Sequence, residues 1–173
     1  AGAGSDVDLV LTTRELARIV RAEHIDVEQL ADSPFDDPLG NGSGAGVIFG
    51  ATGGVMEAAL RSAYFLTTGE NPSADAFCEV RAAENESRPW REAAFDLAGT
   101  TIHCAVASGL ANARHLIRAI KRREVHYEFV EIMACPGGCA GGGGQPVDGS
   151  DREKAASRGD VLFSLDEKAE LRF

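Results

Sequence analysis

The stretch from Glu131 to Pro146, EIMACPGGCAGGGGQP, constrains the fold of this chain more than any other. It overlaps a mostly apolar run, Tyr127 to Met133, that reads as a strand. The strand delivers two of the chain's four thiols, Cys135 and Cys139, into a loop made largely of proline and glycine. With little side-chain bulk between and after the thiols, the main chain can wrap closely and aim N–H groups at an anion or a sulfide. Metal or redox chemistry fits such a loop. A flexible glycine-rich connector with two incidental cysteines has the same composition.

At 173 residues the chain is long enough for one domain with a real core, spanning 1–173, with a small flexible lead-in at 1–5. A net charge of −10 argues against nucleic acid and anionic membrane as partners. No apolar run of membrane-spanning length and no signal-peptide pattern is present. Cysteines at 78, 104, 135 and 139 make no secreted disulfide framework in a chain of this size. A reduced, cytoplasmic, metal-handling setting is the expectation.

Along the chain, Val7 to Leu11 is expected as a short strand. Thr12 and Glu15 have capping-box spacing and predict a helix to about Arg21, with Leu16, Ile19 and Val20 on one side. Asp26 is placed to cap a short helix over Val27 to Leu30. Prolines and glycines make Ala31 to Gly46 a loop. Gly53 and Gly54 open a helix to Thr68, stopped by Gly69. It is apolar nearly all round, with Glu57 and Arg61 as an i,i+4 pair, so more than one side is expected to be buried. Phe77 to Ala83 is expected as a strand. Arg91 to Leu97 and Thr101 to Ala107 flank a hairpin turn, and a helix follows from Leu110 to Arg122 with Leu110, Ala113, Ile117 and Ile120 as its apolar face. A last helix is expected from Asp151 to Leu162, and the charged end from Asp166 to Phe173 carries no stop signal. Strands alternating with helices give an α/β fold: a mixed sheet with flanking helices and one β-hairpin.

Three stretches carry a family resemblance. Glu131, Met133, Cys135 through Cys139, and Gly142 through Pro146 resemble the third cluster-binding motif of the FeFe (iron-only) hydrogenases. Gly44 to Arg61, GAGVIFGATGGVMEAALR, resembles the segment lining the same active site, and Asp6 to Ala17 resembles the segment after the second motif. The family's other two motifs, Thr-Ser-Cys-Cys-Pro and Met-Pro-Cys followed by Lys and Glu, do not occur here. The chain therefore resembles the C-terminal lobe of an iron-only hydrogenase-like fold.

The resemblance implies reversible H2 oxidation and proton reduction in a longer protein, on an H-cluster: a 4Fe–4S cluster linked to a di-iron subsite. It implies that Cys135 and Cys139 are metal ligands of the cubane, that Cys139 also bridges to the di-iron subsite, and that Met133 directs its thioether there. It implies that Gly46, Phe49 and Val55 wall the pocket. The implied partners are the N-terminal part of the hydrogenase domain, a ferredoxin-like electron carrier and cluster maturation proteins. With two of the four cysteine ligands, the fragment alone is expected to be inactive. With its apolar helix uncovered, it is expected to form homo-oligomers. The alternative is a hydrogenase-like iron–sulfur assembly or sensory protein without H2 turnover.

Taken residue by residue, other readings stand beside these. Cys-x3-Cys is not the usual zinc-knuckle spacing, but a zinc half-site has the same donors. A strand methionine such as Met133 also serves to fill core space, and Phe49 is otherwise a core residue. The Gly50 to Gly54 loop before a helix has the shape of a phosphate cradle, yet lacks the Lys-Ser/Thr of a P-loop. Glu131 is either support behind the thiols or a solvated strand-end carboxylate. Cys78 and Cys104, both expected on strands, read as small buried hydrophobes. The four histidines form no constellation.

Overall fold

A computed structural model describes residues 4–34, 36, 40, 42–81, 87–147 and 154–172. Its centre is a three-stranded sheet of β1 (Arg91–Leu97), β2 (Thr100–Ser108) and β3 (Phe129–Met133), in that order. β1 and β2 are antiparallel across the expected hairpin, and β2 and β3 are parallel, joined through α4 (Leu110–Lys121). Parallel neighbours need such a crossover, so the mixed sheet follows from the order of its elements.

Alternation along β2 divides the core in two. Cys104 and Val106 join Met56, Leu60, Phe77, Val80 and Phe95 on the side of α3 (Gly54–Thr68). Ala105 and Ala107 face the other way, toward Trp90 and α4. The buried face of α4 is Ala113, Leu116 and Ala119, not the expected face: of that set only Ala113 is buried, and Leu110, Ile117 and Ile120 are exposed. Small residues on both partners let the helix approach Ala105 and Ala107 closely, and this outweighs burying the larger aliphatics.

The expected capping box is present at Thr12, and α1 runs Thr13–Ala22 with none of its residues buried. Asp26 caps a single 3-10 turn, Val27–Gln29. Gly69 ends α3 in the left-handed conformation, its N–H bonded to Phe65 O. Two expected strands are absent. Val7 to Leu11 has no ladder partner and lies exposed. Phe77 onward forms turns, with a 3-10 helix at Cys78–Arg81, because Phe77 and Val80, three apart, are the residues it buries. Residues 82 and 83 of that expected strand lie outside the described residues, as do parts of the 31–46 loop. That loop also ends early, in the short α2 (Gly44–Val47).

α5 (Ala155–Lys168) runs six residues past its expected end and packs across α2, the Ile48–Gly50 turn and the Cys139–Gly141 turn. It is fastened through charge. Asp166, fully buried, accepts from Arg61 Nη1 (2.9 Å) and Nη2 (2.8 Å) and from Arg172 Nη2 (2.8 Å). Glu57, also fully buried, accepts from Arg61 at 2.5 Å and from Arg81. Among the described residues, no helix is long and apolar enough to cross a membrane.

Candidate metal centre

The cysteine loop leaves the end of β3 and settles against the segment that opens α3. Gly137 N donates to Ser108 Oγ at 2.8 Å, and Thr52 N donates to Gly137 O at 3.3 Å. The contact needs glycine at 138. That residue has φ +87, and a Cβ there would stand 2.7 Å from Gly50 O and 2.8 Å from Thr52 N. The loop then turns on Gly138 N to Cys135 O and Gly142 N to Cys139 O, both 3.0 Å. Arg158 of α5 holds its far side, Nη1 donating to Ala140 O at 2.9 Å and Nη2 to Pro146 O.

Glu131 ties the same two segments together one turn earlier. Its carboxylate is buried and accepts from Gly53 N and Met56 N, each at 2.7 Å. These are N–H groups of the first turn of α3, which has no intrahelical acceptor for them. Gly53 offers no capping side chain, and with φ +93 a Cβ there would lie 2.5 Å from Val80 O. The cap therefore comes from another strand. Burial pushes the Glu131 carboxyl above its ordinary range, while the two N–H bonds and Arg91 pull against that rise. Of the two readings of Glu131, the buried support is the one the structure shows.

Cys135 is half-buried and Cys139 exposed, and both are free thiols. Cys104 is sealed in the core, where burial and then Glu128 push its thiol up to about 11. Cys78 lies on the 3-10 turn rather than a strand and is half-buried. Gly46, Phe49 and Val55 line one shallow groove of about 340 Å3, with Ser43, Ala45 and Ala58. Phe49 is half exposed, not core. Met133, half-buried at the end of β3 with its carbonyl accepting from Gly109 N at 2.8 Å, does not line the groove. It and the cysteines are linked to the groove through residues 50–56. Sequence reasoning missed Ser108, Thr52 and Arg158. Only Ser108 left a signal, as the polar residue ending an apolar strand.

The donor set is two thiols four residues apart, one of them reachable from solvent, in a loop whose main chain supplies N–H groups. That fits half of the four-thiolate shell of an iron–sulfur cluster. Among the described residues no three or more Cys, His, Asp or Glu gather as a metal site, so neither a complete cluster site nor a third zinc ligand is present there.

The family described as the iron-only hydrogenase large subunit, C-terminal domain, matches residues 1–143, and the chain belongs to it. It is 45% identical over 167 residues to the NADP-reducing hydrogenase subunit HndD of Solidesulfovibrio fructosivorans, covering 96% of this chain and 28% of that protein. It is 35% identical over 148 residues to the protein NAR1 of Arabidopsis thaliana, covering 82% of this chain and 30% of that protein. The fold superimposes on a variant of the [FeFe]-hydrogenase HydA1 from Chlamydomonas reinhardtii with a TM-score of 0.71 and 38% identity, covering 96% of this chain and 47% of that one. The chain thus spans under a third of these curated relatives and about half of the solved hydrogenase. The mixed α/β architecture is that of the hydrogenase C-terminal lobe.

Proposed function

We propose that this chain is the C-terminal part of an iron-only hydrogenase that interconverts two protons and two electrons with H2, and that Cys135 and Cys139 supply two thiolate ligands of its H-cluster. The observation that carries this reading is the docking of the cysteine loop onto residues 50–52 through Gly138, which joins the thiols and the Phe49–Val55 groove in one unit. When bound, the cluster supplies the redox-active iron. The chain's own residues hold and enclose it. Cys135, half-buried, and Cys139, exposed, would be the two thiolates that hold the cluster, with Cys139 shared between the cubane and the di-iron subsite. Phe49, Val55 and Gly46 would wall one side of the pocket, as they line one groove. Met133 ends the strand that delivers the cysteine loop. The remaining ligands come from the N-terminal part of the domain, electrons from a ferredoxin-like carrier, and the cluster from maturation proteins. On this reading this chain by itself, with two of the four thiolates, does not turn over H2.

A second reading, an iron–sulfur assembly protein, is favoured by the 32% identity over 144 residues to the cytosolic iron-sulfur assembly component 3 of Pongo abelii. The 45% identity to a hydrogenase subunit and the uninterrupted glycine-rich stretches support the first. In the full-length large subunit, Cys135→Ala and Cys139→Ala each lose cluster iron, counted per chain. Cys104→Ala keeps it and costs no more than ~1–2 kcal/mol of stability. Iron lost with Cys104 but retained without Cys139 overturns the ligand assignment. Full iron loading without H2 uptake by the unsubstituted protein, with an artificial electron acceptor, selects the assembly reading.

A further inference from the structure

Glu131 is the one buried carboxylate in the described part of this chain that is held chiefly by main-chain N–H groups. Asp166 and Glu57 are each gripped by guanidinium groups. Glu131 sits in β3 opposite Val106, two residues before Met133 on the same face of the strand and four before Cys135. Its partners, Gly53 N and Met56 N, are 78 and 75 residues away and bracket Val55 of the groove. A second tie, Thr52 N to Gly137 O, lies on the other side of the thiol-bearing turn. The segment 52–56 is therefore pinned to the segment 131–137 at two points, and Cys135 is suspended between them. Backbone makes one pin, and the Glu131 side chain makes the other.

We infer that Glu131 is a positioning residue: its paired carboxylate oxygens set the register of the Cys135 turn against the Phe49–Val55 groove. Its carboxylate bonds Gly53 N and Met56 N and acts on the thiols through β3 and the first turn of α3. What the position demands is two acceptor oxygens, not bulk. Glutamine has the same shape but only one acceptor, and it turns an N–H toward a main-chain N–H, leaving that donor buried and unmatched. The inference rests on the ligand reading only for its consequence for a cluster. The geometry stands without it.

The test is thiol reactivity in this chain with no metal present. In the unsubstituted chain, a maleimide or disulfide reagent labels exposed Cys139 fast, half-buried Cys135 more slowly, and Cys104 only on unfolding. In Glu131→Gln, the Cys135 rate rises at least about tenfold, the change that losing one buried hydrogen bond implies, while Cys104 stays protected. A Cys135 rate within twofold of the original overturns the inference, as does a rise in Cys135 and Cys104 together, which marks general unfolding. Should the glutamine variant not fold, amide hydrogen exchange of the unsubstituted chain decides. Gly53 and Met56 are expected to open together with Gly137 and Gly138 as one unit. Independent opening of the two pairs overturns the proposal. Loss of cluster iron in Cys135→Ala tests the ligand reading separately, so the two can fail apart.

Discussion

Two regions of this molecule bury carboxylates, and they neutralise them differently. At the junction of α3, α5 and the 78–81 turn, Glu57 and Asp166 are met by Arg61, Arg81 and Arg172. At the junction of α3 with β3, Glu131 is met by two amide N–H groups. The consequences for ionisation are opposite. Burial alone would raise Asp166, but the hydrogen bonds from Arg61 and Arg172 outweigh it and hold the carboxyl at about 2. At Glu131 burial wins, and the carboxyl stands above its ordinary range. The first region uses full charges and cements two helices. The second uses partial charges at a helix terminus, a weaker grip that leaves the thiol loop adjustable. The lesson is how each carboxylate is fastened: behind the groove by guanidinium groups, and beside the cysteines by main-chain N–H groups, in a loop that Ser108, Thr52 and Arg158 also bond.

The largest predicted effect breaks the first region. Asp166→Ala takes from buried Arg61 and partly buried Arg172 the carboxylate they share, and removing one partner of a buried ion cluster costs about 3–5 kcal/mol. Urea unfolding followed by circular dichroism should show that loss. The cluster also sits against glycine, because a Cβ at Gly44 would run into the Asp166 carboxylate. A loss under about 1 kcal/mol would mean that the arginines re-solvate freely and that the cluster is not the fastening between α3 and α5.

Acid sharpens the same contrast. A carboxyl whose folded pKa is depressed contributes stability that is complete above its unfolded pKa and is lost as pH falls through the folded value. For Asp166 the window runs from about pH 4 down to about 2, and the contribution is about 2–3 kcal/mol. Glu131 runs the other way. Its raised folded pKa means that the folded chain holds that proton more tightly than the unfolded chain, so protonation there offsets a little of the loss. In an acid titration at fixed urea, Asp166→Asn should flatten the descent below pH 4. An unchanged descent would place the acid sensitivity elsewhere.

Much of the fold was legible where local chemistry decides. The capping box at Thr12, the α3 helix from Gly54 to Thr68 and the hairpin from Arg91 came straight from pattern. The misses have physical causes. Val7 to Leu11 has strand composition, but a strand is a pairing, and among the described residues it joins no ladder. Phe77 to Arg81 buries residues three apart, which an eye set for alternation does not see. On α4 the larger aliphatics Ile117 and Ile120 drew the face to the wrong side, when close approach to Ala105 and Ala107 selects alanines. At the site, the motif residues could be named from the sequence. Their supports could not, because Arg158 and Ser108 act on main-chain atoms 18 and 29 residues away. Asp166 opens a charged end with no stop signal in the sequence, and its three guanidinium bonds are what make it core.

The smallest predicted effect probes the second region from its far side. Arg158 is half-buried on α5 and donates to Ala140 O and Pro146 O, one on each side of the glycine run that follows Cys139. It spans that run from outside, and it bonds carbonyls rather than a carboxylate. Arg158→Met keeps much of the aliphatic stem and removes both donors. The cost to global stability should be about 1 kcal/mol, the net worth of ordinary hydrogen bonds whose acceptors can turn to water. The local effect should be larger than the global one. Amides of residues 141–145 should exchange faster, while those of α3 and β2 keep their protection. If 141–145 exchange is unchanged, the loop is held by its own turns and by Gly138 alone. If α3 loosens in step with the loop, the two regions are one cooperative unit, and the contrast between a rigid back and an adjustable front fails.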